Sequence, residues 1–318
     1  MRFRIALSLF AVAIFGCPSY AASSPRELLA AGRVDEVIPL LQQQIARFPA
    51  EAEANNFLCR AYLMIDETDR AIGACERARN LDPKKSLYHL WLGRAYGKKA
   101  DHAGVFSAAG LVKKVRLSFE RAVELDPRSW EARSDLAEFY IEAPAIVGGG
   151  KDKARQQADE IQPLNPAMAH RILAKIADKD KDSAAAEREY RAAIIASHSG
   201  AFAWFDLANF LFHANRLDEM DQAMHTLESS LVDRPESLRD AATVLQRADR
   251  DYPLAISLLR RYLSAPVEEA PAFEAHDLLG HLLEKEGDRH AAADEYRAAL
   301  ALSRGYTRAQ EDLRRVQR

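Results

Sequence analysis

Gly148-Gly149-Gly150-Lys151 is the run that most invites a chemical reading, because a glycine-rich turn ending in lysine can wrap an anion in backbone N–H groups. A phosphate loop needs Gly-x-x-x-x-Gly-Lys-Ser/Thr between a strand and a helix, and this run has neither that spacing nor a strand before it. Nine histidines are present, none in a His-Glu-x-x-His pair. His276, His281 and His290 are separated by five and nine residues, so they do not converge on one helical face as zinc ligands would. Ser197-His198-Ser199 sets hydroxyl beside imidazole, but in a helix-end turn with no strand elbow beneath it. These residues support no catalytic constellation, cofactor or metal site, and the chain reads as non-enzymatic.

Thiols are the other reactive groups, and there are three. Cys59 and Cys75 take inward, small-residue positions on two successive helical stripes. They are either buried thiols or, in an oxidising compartment, a bridge; both outcomes stay open. Cys17 belongs to the N-terminal segment. There Met1-Arg2-Phe3-Arg4 is basic, Ile5 to Phe15 is apolar apart from Ser8, and Gly16-Cys17-Pro18 breaks the run before Ser19-Tyr20-Ala21. Eleven helical residues rise about 16 Å, roughly half the hydrocarbon core of a bilayer, so the run is too short to span. Basic, apolar and small-x-small regions in that order predict a signal peptide over residues 1–21 and a periplasmic or secreted product. Ile14-Phe15-Gly16-Cys17 also resembles a bacterial lipobox, with Phe15 where that pattern has a small residue. Its use would acylate Cys17 and anchor the mature chain.

The elements that carry these residues follow from composition and period. With 48% apolar and 29% charged residues in 318, the chain is globular. Its 44 basic and 47 acidic residues give −3, so no global positive field draws in nucleic acid. No other apolar stretch is long enough to span a membrane. Leu58, Cys59 and Tyr62 are followed by Ala71, Cys75 and Ala78, and Leu279, Gly280 and Leu283 by Ala292, Tyr296 and Ala299: a step of 13 residues, then 4, then 3. Leu173, Ala186, Tyr190 and Ala193 repeat it, as do Leu207, Met220, Met224 and Leu227. The spacing sets one apolar stripe on a first helix and the facing stripe on a second. Small residues at Cys59, Gly93, Ala137 and Gly280 admit the partner backbone. Asp82-Pro83, Asp126-Pro127 and Asn165-Pro166 stop the second helices. One hairpin cannot bury its own apolar face, so neighbours must stack.

Leu92-Gly93-x-x-Tyr96 with Phe119, Ala122 and Pro127 resembles the tetratricopeptide repeat, and Trp204 matches its leading tryptophan. The resemblance implies an all-α fold, a right-handed superhelical solenoid of stacked antiparallel helix pairs. It assigns about eight pairs to residues 22–304, with a degenerate repeat at 236–266 and a closing helix at 305–318. Leu313 and Val316 point inward on that last helix. Insertions fall near 97–114 and 143–151, on the same edge of adjacent hairpins. Val105, Ala109, Val112, Val115 and Phe119 extend the second helix backwards, and Ile146 and Val147 are expected to cover it. The chain also looks like a recurring exported bacterial type of the family, through Phe139-Tyr140-x-x-Ala143-Pro144 and Gly148-Gly149-Gly150-x-x-Lys153-Ala154.

In that family first helices line a concave groove that receives peptides. Carried over, the groove shows Asn56, Arg60, Arg94 and Lys98, then Glu138 and Glu142, then Phe202, Phe205, Asn209 and Phe212. The three phenylalanines occupy a face different from the inward Trp204, Leu207 and Leu211. The implied function is a protein- or peptide-binding scaffold of the cell envelope, for a segment acidic at one end and apolar at the other. The alternatives are an enzyme or small-ligand protein using the ridge at 97–114/143–151, and a self-assembling structural factor. Partner identity and oligomeric state have no signature in the sequence.

Overall fold

The computed structural model describes residues 23–102, 105–266 and 271–318, so the signal segment and Cys17 lie outside the described residues. Its helices pair in chain order: α1 (Pro25–Ala30) with α2 (Val34–Arg47), α3 (Ala52–Met64) with α4 (Thr68–Leu81), and α5 (Ser86–Asp101) with α6 (Val105–Leu125). They continue with α7 (Trp130–Glu142) and α8 (Lys151–Ile161), α9 (Pro166–Lys179) and α10 (Ser183–Ala196), and α11 (Ala201–His213) and α12 (Leu217–Ser229). The last pairs are α13 (Glu236–Ala248) with α14 (Tyr252–Leu263) and α15 (Ala272–Lys285) with α16 (Arg289–Leu302), closed by α17 (Thr307–Val316). A 3-10 turn over Ala145–Val147 sits between α7 and α8. No strand occurs among the described residues, only one isolated bridge between Gly200 and Leu231.

The small-residue rule has a direct steric cause. A Cβ on Gly93 would lie 2.4 Å from the Phe119 ring, and one on Gly280 would lie 2.5 Å from the Tyr296 ring. Ser24, Ser129, Asn165, Asp182, Asp251 and Asp288 cap helix N-termini by accepting a first-turn N–H. The turns inside the hairpins use a left-handed residue: Gly32, Asp66, Lys181, Asn215, Asp249 and Gly287. Lys181 is the ill-suited member at φ 64°, since a left-handed L-residue costs about 1–2 kcal/mol. Lys181→Gly is therefore expected to stabilise the chain by about 1 kcal/mol in urea unfolding. No gain would show that the turn, not the residue, sets the conformation.

The degenerate repeat folds like the rest. It keeps Leu238, Ala241, Ala242 and Leu245 buried on α13, so it has lost the signature residues but not the helical stripe. On α17, Leu313 and Val316 pack against the second of two hydrophobic cores, and Ala309 and Asp312 are buried with them. The first core runs from Leu28 to Ile176 and also takes in Phe273, Ala299 and Ala309 from the far end of the chain. Asp35 accepts the backbone N–H of Arg304 at 2.7 Å. The superhelix thus turns far enough for its last repeat to meet its first.

Candidate functional site

The ten residues expected to line the groove fall into three environments. Asn56 is not on the surface at all. It is 1% exposed, and its Nδ2 has no hydrogen-bond partner. Arg60 is buried too, its guanidinium flat against Trp91 at 4.7 Å and near Phe57 at 5.7 Å. Arg26 and Arg94 extend this alternation of arginine and aromatic ring at 5.8 and 4.7 Å. The chain entering α15 lies over that end: Pro271 shares a cavity of about 220 Å³ with Arg60, Leu63, Met64, Trp91, Arg94 and Lys98. The expected cationic strip is therefore bordered by the chain itself, at Pro271.

The remaining charges hold successive repeats together. Arg94 Nε reaches Asp135 of the next first helix at 2.7 Å, and Lys98 Nζ bonds the Leu63 carbonyl at 2.9 Å and Asp66 at 3.3 Å. Glu138 accepts from Arg171 and, at 3.1 Å, from Lys175 on α9, while Glu142 pairs with Lys179 at 2.7 Å. Arg171 Nε also lies 2.9 Å from Asp206 Oδ2 on α11, off the axis of its N–H, so the two are ion-paired without a hydrogen bond. Asp135, Arg171 and Asp206 were not anticipated from sequence.

Their environments set their titration. Burial works against ionising Glu138, but Arg171 and Lys175 outweigh it and bring the carboxyl down to about 2. Asp206 goes the other way, because its burial outweighs the pull of Arg171 and raises its pKa. A depressed carboxyl stabilises the fold above its unfolded pKa and loses that contribution as it takes up a proton. Stability should therefore fall as pH drops from the ordinary 4.5 towards 2. Glu138→Gln should flatten that part of the profile in denaturant midpoints. An identical acid slope would remove Glu138 from the account.

The aromatic end is different in kind. Phe202, Phe205, Asn209 and Phe212 on α11 are all half-buried. Arg171 and Arg234 stack on Phe202 at 5.0 and 4.4 Å, and Arg247 lies 5.6 Å from Phe212. Trp204, expected inward, packs against the second core but is only partly buried. Its indole N–H donates to Ser199 Oγ at 2.8 Å, and Phe210 takes the fully inward place against Tyr190, ring centroids 5.4 Å apart.

Cys59 and Cys75 are joined by a disulfide with Cα atoms 5.2 Å apart, and both are fully buried. On the inserted edge, the turn at 145–150 lies on α6, with Arg116 beneath Gly148. Gly149 is required there, since a Cβ would meet the Ala143 carbonyl at 1.7 Å. Ile146 does not cover α6: it is 94% exposed, because the tight turn directs it outward. Nearby lysines are engaged, Lys151 by Asp180, Lys99 by Asp69, and Lys114 by the Tyr96 ring at 5.0 Å. Residues 103–104 of the first insertion lie outside the described residues. At the C-terminal end Asp277, His281 and Asp312 cluster. Arg308 lies 3.0 Å from Asp277 and donates to His281 at 3.1 Å, so this cluster ties α17 to α15 with cations already in place.

Residues 28–94 match the family model described as tetratricopeptide repeat. No curated protein matches the chain in sequence. Among solved structures, yeast Tom70 is similar with a TM-score of 0.53 at 15% identity, covering 89% of this chain and 58% of that one. A thermophilic TPR protein of Thermus thermophilus gives 0.49 at 19% identity, covering 59% and 97%. A tetratricopeptide repeat protein from Parabacteroides merdae gives 0.46 at 13% identity, covering 92% and 96%. At these identities the likeness is one of fold: an all-α superhelical solenoid of the tetratricopeptide type. Among the described residues, no helix is long and apolar enough to cross a membrane.

Proposed function

We propose that this tetratricopeptide-repeat protein is a non-enzymatic scaffold, exported to the cell envelope, that holds an extended protein segment against the α11 end of its concave face. The observation that carries the reading is the α11 stripe. Phe202, Phe205, Asn209 and Phe212 are half-buried, whereas Arg94, Glu138 and Glu142 are committed to ion pairs within the chain. Aromatics that keep a partly exposed edge on a rigid helix while their bodies pack on the core are anchors whose remaining burial contributes most to binding. The partner segment is accordingly gripped through apolar side chains, and the acidic end expected from Arg60, Arg94 and Lys98 is dropped. Export is supported by the signal-like residues 1–21 and by the buried Cys59–Cys75 bridge, which suits an oxidising compartment.

A photo-crosslinking residue in place of Asn209 tests the reading in intact Gram-negative cells. It should trap a discrete adduct, absent when Phe205 and Phe212 are alanine and absent when the crosslinker replaces the exposed Arg188. Equal trapping at both positions would move the working surface elsewhere. Cell fractionation reads export: loss of about 2 kDa and recovery from the periplasm are expected for removal of such a signal. Cys17→Ala distinguishes the lipoprotein route, because only that route needs the thiol for maturation.

A further inference from the structure

A cavity of about 140 Å³ opens beside Phe202, walled by Trp130, Ala167, Met168 and Ala203, with Arg234 at its rim. Its size is that of a single ring: an apolar cavity of about 150 Å³ takes up benzene. The floor is fixed from below. Arg171 stacks on Phe202 at 5.0 Å and is itself locked by Asp206 and Glu138. Asp233 holds the entry to α11 by accepting the Phe202 N–H at 3.1 Å. Arg234, next in the connection between α12 and α13, also lies over the Phe202 ring, at 4.4 Å. Among the described residues it has no ion-pair partner, unlike the arginines of the ladder beside it. Asn165, Ser197, Asp233 and the Arg171–Asp206 pair also line the cavity. With Asp206 paired to Arg171 and Asp233 accepting the Phe202 N–H, the Arg234 guanidinium is the charge left at the mouth, and the complement is an apolar side chain with a carboxylate beside it.

We propose that this cavity is a specificity pocket for one aromatic or large aliphatic residue of the bound segment, and that Arg234 holds the carboxylate next to that side chain. This rests on the peptide-scaffold reading and sharpens it. The side chain fills the cavity beside Trp130, Met168 and the Phe202 ring. The guanidinium, pre-oriented on the Phe202 face, then meets the carboxylate in a partly desolvated setting, where a charge-assisted hydrogen bond is strong.

The mature chain titrated calorimetrically with N-acetyl-phenylalanine should bind in the millimolar range, and N-acetyl-phenylalanine amide about tenfold more weakly. N-acetyl-Asp-Phe-amide, with a side-chain carboxylate only, separates an internal acidic residue from a chain end. Recovery of affinity assigns the former, and none the latter. Arg234→Gln should weaken the acid about tenfold and leave the amide unchanged. Ala167→Phe, placed at the half-exposed rim so that the fold survives, should fill the cavity and abolish binding of every probe. Circular dichroism melts confirm that both variants fold. Acid and amide binding alike, Ala167→Phe binding as well as wild type, or no probe binding at all would overturn the pocket. Trapping at position 209 persisting in Ala167→Phe cells would leave the scaffold reading intact while the pocket fell.

Discussion

Arg171→Ala is expected to cost about 3–5 kcal/mol of unfolding free energy, the usual result of removing one partner from a buried ion pair. Arg171 is 13% exposed and Asp206 8%. Without the guanidinium, Asp206 is left inside the stack as a charge whose nearest compensation is gone. The loss therefore comes from the stranded carboxylate more than from a missing attraction. Adding Asp206→Ala should recover a good part of it, since a pair removed whole leaves nothing to strand. Urea unfolding of wild type, single and double variants decides the matter. A single variant within about 1 kcal/mol of wild type would mean that Asp206 is already protonated or hydrated. The same replacement takes away the support under Phe202, so it should weaken N-acetyl-phenylalanine binding in protein that is still folded.

The periodic parts of the molecule were legible because each depends on one residue and its near neighbours. Gly93 and Gly280 could be read as close-approach sites, since the aromatic that meets each, Phe119 or Tyr296, holds the same place on the second helix of its repeat once the insertion after Gly93 is allowed for. α13 has a buried stripe without the signature residues, so the gap in the pattern is a gap in motif, not in helix. The concave face was less legible. The resemblance says which side of a first helix faces inward, but not which charges find each other across repeats. Arg94–Asp135, Glu138–Lys175 and Arg171–Asp206 join residues 41, 37 and 35 apart, read from their numbers. A pair-search at roughly one repeat length would have been the available signal. Asn56 and Arg60 were misplaced for a related reason. Arg60 is buried against Trp91 of the next first helix and shares a cavity with Pro271 from the far end of the chain, neighbours that its own repeat does not specify. Arg234 had no signal, since it lies in a connection outside the period.

Breaking the Cys59–Cys75 bridge should cost about 3 kcal/mol, the loop-closure value for a separation of 16 residues. The bridge lies within the pair α3–α4, and the end of α3 shares a cavity with Pro271. Its loss should therefore loosen the N-terminal hairpins first and spread along the stack only through their interfaces, as expected for an array stabilised by nearest neighbours. Cys59→Ala with Cys75→Ala, preferred to serine because both sites are fully buried, should reproduce the effect of dithiothreitol on wild type, and dithiothreitol should then do nothing further. Hydrogen exchange should show the added opening in α1 to α4 and not in α9 to α12. The measurement also bears on compartment. A chain lacking residues 1–21 and made in a reducing cytosol should have the stability of the double alanine variant, and recover about 3 kcal/mol on oxidation. If oxidation adds nothing, packing alone sets the stability of this hairpin, and the bridge no longer supports an oxidising destination for the protein.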